Sequence, residues 1–294
     1  MIYGRNAGSR IVDQLIIILL ILIAMASIFP VLHVFAVSFS EKAAVSAAKI
    51  SIWPVGFNLH AYQALLLEKA FFVSFGVSIK RVLLGAAIQF LLTVLMAYPL
   101  SKEVRQFRAR NYYMWLLVFC MLFSGGLIPW FITINSLGLI DTIWALVLPG
   151  AVPIFSVILL MNFFRGLPRE LDEAGAMDGA GQWYLLFRVF VPLSLPALAT
   201  VTLFSIVGHW NSFFDGLVLM GKPEHQPLQT YLNVMIVQQQ LTNLSAEQLI
   251  EMSKISNKTL NAAKIVVSML PIILLYPFLQ RFFIHGIVLG SIKE

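Results

Sequence analysis

Charge is scarce in this sequence. Only 12% of its 294 residues are Asp, Glu, Lys or Arg, and 59% are hydrophobic. A soluble domain carries roughly 25% charged and about 45–50% apolar residues, so the shortage excludes a soluble globular chain and implies a polytopic membrane protein. Cysteine is scarcer still. Cys120 is the only one and lies in an apolar run, which excludes an intrachain disulfide and reads as packing. His33, His60, His225 and His285 are scattered without ligand spacing, so no metal site is expected. Acidic residues are outnumbered, giving a net charge of +6. In a membrane chain that surplus reads as basic loops against an anionic leaflet, and no nucleic-acid partner is expected. The P-loop pattern G-x-x-x-x-G-K-S/T, H-E-x-x-H and G-x-S-x-G are all missing, so neither an ATP site nor an enzyme is expected. No internal repeat argues for two inverted halves.

Long apolar runs are what the chain has. Six stretches reach the roughly 20 residues a bilayer requires: about 12–39, 71–100, 112–134, 142–163, 193–220 and 262–284. They predict an all-α fold of six transmembrane helices in a single domain over 1–294. The first run is too long for a signal-peptide core, so no cleavable signal is expected. The second contains Lys80 and Arg81, which are expected near an interface or in a wet cavity; with Ser78 they suit attraction of an anionic sugar, or else pairing with lipid phosphate or Glu68. Pro30, Pro129, Pro149, Pro153, Pro196 and Pro271 fall inside the runs and predict bends.

Lys and Arg set the orientation. With the N-terminus inside, the inner segments hold Arg5 and Arg10, then Lys102, Arg105, Arg108 and Arg110, then Arg165, Arg169 and Arg188, and finally Arg281 and Lys293. Both termini and the segment 164–192 are then cytoplasmic, and the largest outer loop is 221–261. Ser245 and Gln248 form a capping-box pattern that predicts a helix through about Ser253 in that loop.

The inner segment contains a polar island, ELDEAGAMDGAG at 170–181. Pro168 suits a helix start, and Glu170, Asp172 and Glu173 in the first turn suit its dipole. Leu167, Leu171 and Ala174 predict one apolar stripe. Asp178, Gly179 and Gly181 predict a break, and Trp183, Leu186, Phe187 and Phe190 predict a second short helix ending at Pro192. Physics alone allows a passive connector or a docking element.

E-A-G-A-M-D-G-A at 173–180 followed by V-P-L-S-L-P at 191–196 resembles the EAA loop of binding-protein-dependent ABC importer permeases. Gly175 departs from the alanine usual there. Gln280 to Gly286 with Gly290, and Trp210-Asn211 followed by Phe213, are similar to the carbohydrate-uptake (maltose-type) branch. A-V-S-F-S at 36–40 and S-I-W-P-V-G-F-N at 51–58 resemble permeases for complex or uronate saccharides of the alginate kind. The resemblance implies a type I importer fold in the bacterial inner membrane. It implies a second permease, making a heterodimer, two ATPase subunits that bind the ATP and Mg, and a periplasmic solute-binding protein reached by the outer loop. It makes Glu173, Ala174, Gly175, Asp178 and Gly179 the ATPase-coupling residues, with Glu173 opposite a basic ATPase residue.

Intramembrane polar groups mark candidate path residues. Asn211 and Asp215 are i, i+4 and are expected on one helix face beside His209, Trp210 and Ser212. Gln89 and Thr93 form a similar pair. Each set suits either a saccharide path or plain helix–helix bonding, and Asp215 has no evident partner in the sequence. A stand-alone secondary transporter or channel for a polar solute is the other function class the composition allows.

Overall fold

A computed structural model describes residues 7–241 and 257–291. The predicted helix at Ser245 to Ser253 lies outside them. The described residues form helices, turns and bends, with no strand among them. The chain divides into two compact units, 1–69 with 241–270, and 70–240 with 271–294.

The first unit begins with α1 (Ala7–Ser38), which accommodates Pro30 internally. Its apolar window has none of its residues buried within the chain. At its C-terminal end Ala36 sits against Ala44, Val45 and Ile50, the first two on α2 (Lys42–Ser46). The Ser38 hydroxyl meets Tyr62 at 2.9 Å on α3 (His60–Leu67). Glu68 pairs with Lys264 at 2.7 Å. Lys264 lies on α15 (Asn257–Ser291).

The second unit is organised on α4 (Lys69–Ser101), a continuous 33-residue helix. Three further apolar runs are broken helices. α5 (Arg110–Leu122) and α6 (Leu127–Ser136) meet at 115°. Gly125 and Gly126 interrupt them, and Gly126 has φ 87, a conformation glycine adopts freely. α7 (Ile143–Val147) continues as a 3₁₀ turn to Gly150 and meets α8 (Ile154–Gly166) at 46°, with Pro153 at the joint. The segment Gln182–Leu193 meets α12 (Leu195–Asn211) at 84° around Ser194. By length and hydropathy, three single helices and these three pairs are the candidate spans. Hydropathy alone therefore merges segments that the backbone separates: 112–134 and 142–163 are not single helices.

Between them lies α9 (Glu170–Met177). The next segment comprises α10 (Gln182–Leu185), a π turn at Leu186–Phe190 and α11 (Val191–Leu193). It runs through Pro192, which falls in the first turn of α11, where its missing N–H costs little. α13 (Phe214–Leu219) and α14 (Leu228–Leu241) follow α12. α14 lies in the predicted outer loop, where polar Gln and Asn residues hid it. Its start is tied to the bundle, since Leu228 N–H donates to Ser78 Oγ at 2.8 Å and Thr230 Oγ1 donates to Phe213 O at 2.8 Å. The main core joins Val94, Ala97 and Tyr98 of α4, Val157, Leu160, Met161 and Phe164 of α8, Leu185, Leu186 and Phe190, and Ala197 and Leu198 of α12.

Candidate functional site

Two places in the second unit carry the polar residues singled out above. The first is a cavity of about 450 Å³ lined by Arg81 and Gln89 of α4, Trp130 of α6, Pro149 and Gly150, Ser205, Gly208 and His209 of α12, Ser212 and Asp215. Arg81 donates through Nη1 to Asp215 Oδ1 at 3.2 Å and to Ser212 O at 3.3 Å, and its Nη2 contacts Asp215 Oδ2. Asp215 also accepts from Ser212 Oγ at 2.8 Å and from Gly216 N–H at 2.9 Å. Of the sequence expectations for Arg81, the cavity is the one the structure shows; the Glu68 pairing is not made, since Glu68 bonds Lys264. Arg81 is the partner Asp215 lacked in the sequence, brought there from 134 residues away.

Asn211 and Asp215 do not share a helix face. α12 ends at Asn211, Ser212 is extended with ψ 127, and Asp215 opens α13. Asn211 is exposed. Trp210 is buried edge-on to Phe75, with ring centroids 5.6 Å apart, away from the cavity lining. His209 and Gln89 do line it. Gln89 Nε2 donates to Gly150 O at 2.7 Å and so joins α4 to the turn after α7. Thr93 is buried in the bundle and does not line the cavity. The His209 ring lies against Gly85, where a Cβ would come within 2.6 Å of its carbons. Trp130, unremarked in the sequence, supplies the cavity's indole. A larger, more apolar opening of about 880 Å³ shares Trp130, Pro149, Ser212 and Asp215.

The second place is α9. Glu170, Asp172 and Glu173 occupy its first turn. Glu173, Ala174, Asp178 and Gly179 are exposed. The helix closes through Gly179, φ 70, with Gly179 N–H donating to Ala176 O at 3.2 Å and Ala180 N–H to Gly175 O at 2.8 Å. These two bonds are the Schellman closure, which fixes where the helix stops. The expected apolar stripe is different. Leu167 precedes the helix, Ala174 faces out, and Gly175 is the buried position. Leu185 fills the space beside Gly175; a Cβ there would stand 3.1 Å from one Leu185 methyl and closer to the other. The Gly175 departure thus fits a bulky neighbour. On the next segment Leu185, Leu186 and Phe190 point inward, whereas Trp183 and Phe187 are exposed and stack on each other at 6.1 Å.

α9 is joined to α4 by Lys102 Nζ, 2.5 Å from Asp172 Oδ1. Burial pulls the Lys102 ammonium below its ordinary range, and the bond and charge of Asp172 oppose that only in part. Arg169 pairs with Glu103 at 2.8 Å in solvent.

A family model described as binding-protein-dependent transport system inner membrane component matches residues 73–289. The chain belongs to that family. It is a multi-pass membrane permease component. It is 38% identical to Protein LplC of Bacillus subtilis over 99% of this chain and 97% of that one. It is 36% identical to the polygalacturonan/rhamnogalacturonan transport system permease protein YtcP of Bacillus subtilis, over 97% of this chain and 99% of the other. A chain in the crystal structure of a bacterial ABC transporter involved in the import of the acidic polysaccharide alginate superposes with TM-score 0.86 at 32% identity. That match covers 96% of this permease and 99% of the solved chain.

Proposed function

We propose that this permease forms half of the translocation path of an ATP-driven, binding-protein-dependent importer of oligo- or polysaccharide. A second permease supplies the other half, two ATPase subunits bind the nucleotide, and a solute-binding protein delivers the sugar. The observation that carries this reading is α9, an acid-faced helix that is exposed, closed at Gly179 and attached to the bundle. Such an element suits a cleft in a partner better than it suits a connector. In this reading the segment 164–192 and both termini are cytoplasmic. Glu173 meets a basic ATPase residue, and ATP-driven closure of the ATPases moves α9.

The cavity suits a saccharide's hydroxyls. Gln89, Ser205 and Ser212 offer hydrogen-bonding groups beside the Trp130 indole. Its arginine is neutralised by Asp215, so charge on the sugar is not required for entry. The relatives' substrates make acidic saccharides, polygalacturonan-like or alginate-like, the first class to try. Co-purification of the permease with a second permease and an ATPase tests the assembly. Glu173→Lys is expected to insert normally yet abolish saccharide-stimulated ATP hydrolysis; full stimulation in the mutant complex would overturn the coupling role. A panel of acidic and neutral oligosaccharides, scored by thermal stabilisation of the binding protein, identifies the sugar.

A further inference from the structure

An exposed eight-residue helix transmits motion only if something holds it to the bundle. The seam between α9 and α4 is not closed by packing. A cavity of about 530 Å³ lies there, bounded by Pro99, Lys102, Asp172, Ala176 and Trp183 among others. The Arg169–Glu103 pair crosses the same seam, but both side chains are more than half exposed, and such pairs contribute little.

Lys102 is different. It follows α4 directly, and its side chain is only 8% exposed. Its ammonium sits 2.5 Å from Asp172 of α9. It also lies 4.2 Å from the Tyr98 ring centroid of α4 and 4.1 Å from that of Phe190, in the turn after α10. One buried charge therefore touches all three segments that meet here. Charge-assisted bonds in partly desolvated sites are the stronger ones, and the faces of two rings add cation–π attraction. Tyr98 extends the link, since its hydroxyl donates to Gln182 Oε1 at 2.9 Å. The same helix α4 carries Arg81 of the polar cavity. At 1.5 Å per residue, Arg81 and Lys102 stand about 30 Å apart along one continuous rod.

We infer that Lys102 is a positioning residue: it fastens α9 to α4, so that displacement of α9 reaches the cavity through Arg81. This rests on the proposed docking of α9 to an ATPase. Phe204 of α12 also lines the polar cavity, and the test uses the full complex in a Cys120→Ser background with an environment-sensitive fluorophore at Phe204→Cys. Trapping the ATPases with ATP and vanadate is expected to change its emission. Lys102→Met is expected to abolish most of that change, with assembly by co-purification unchanged. Asp172→Asn, on the more accessible partner, is expected to do the same, and Lys102→Arg to retain most of the signal. An undiminished change in Lys102→Met or Asp172→Asn overturns the inference. Equal loss in Lys102→Arg and Lys102→Met also overturns it, because charge would then be irrelevant. Cross-linking of Ala174→Cys to the ATPase tests the docking reading separately. If the cross-link forms and Lys102→Met still signals normally, only the role of Lys102 falls. If it does not form, the docking reading falls.

Discussion

Asp215→Ala is the most informative single substitution in the cavity. The Arg81 side chain is 3% exposed and that of Asp215 is 19% exposed. Removing the carboxylate strands a buried guanidinium together with the Ser212 hydroxyl and the Gly216 N–H that it satisfied. Breaking a buried pair from one side costs about 3–5 kcal/mol. Asp215 borders the cavity, so water can enter and replace part of what is lost, which places the expected cost at the lower end, about 3 kcal/mol. That is roughly a hundredfold in the folded-to-unfolded ratio. Replacing both partners by apolar groups, Arg81→Met with Asp215→Leu, removes the stranded charge and is expected to recover most of the stability. Denaturant unfolding of the purified permease in detergent, run as a double-mutant cycle, reads each quantity. A cost below about 1 kcal/mol for Asp215→Ala, the range of exposed pairs, would refute the argument, because the guanidinium would then already be hydrated. A double variant no more stable than the single one would refute the assignment of the loss to an unpaired charge.

Gly175→Ala, which restores the usual residue of the loop motif, is expected to destabilise by about 1–3 kcal/mol through overpacking against Leu185; in a Leu185→Ala background, itself destabilised by the cavity it opens, the further cost of Gly175→Ala should largely vanish, as a double-mutant cycle by thermal unfolding would show. Gly85→Ala drives a methyl into the His209 ring and is expected to cost a similar amount, about 1–3 kcal/mol, lowering the unfolding midpoint without altering insertion. Burial alone would raise the Asp141 carboxyl, but the Lys222 N–H, the His225 ring 3.1 Å away and both their charges outweigh it and hold it below the ordinary carboxylate value. A depressed acid contributes stability above its unfolded pKa of about 3.9, and that contribution is lost as pH falls through the folded value. Asp141→Asn, which tolerates the positive φ of 62 at this position, should therefore flatten the acid limb of a pH–stability profile; an unchanged limb would count against the pairing.

The apolar runs and the polar island were readable because each rests on local signals: length, hydropathy, Pro168 and the acids of one turn. The helix breaks were not, because hydropathy sums over Gly125, Gly126 and Pro153 without registering that the chain turns there. Asp215 was selected for its cost in a membrane, yet its partner lies on another helix, and nothing local links Arg81 to it. The pairing of Asn211 with Asp215 failed for a related reason. It assumed a helix that continues past Ser212, whereas the backbone extends at that residue. Trp130 is not legible as a cavity residue in the sequence, because an aromatic in an apolar run carries no mark until the fold shows what it faces. Gly175 was visible as a departure from the loop pattern, but its cause is Leu185, a neighbour only in three dimensions.

The uncovered apolar window of α1 has a consequence for how the protein is made. A helix with mean hydropathy 3.1 and none of that window buried within its own chain has the composition to partition into a bilayer without help from tertiary contacts. Its lipid-facing sequence can drift among Leu, Ile and Val at almost no energetic cost to the rest of the fold. Substitutions that do matter there would report a neighbouring chain, so a scan of Leu15 to Phe29 would separate residues that merely dissolve in lipid from those that meet another subunit.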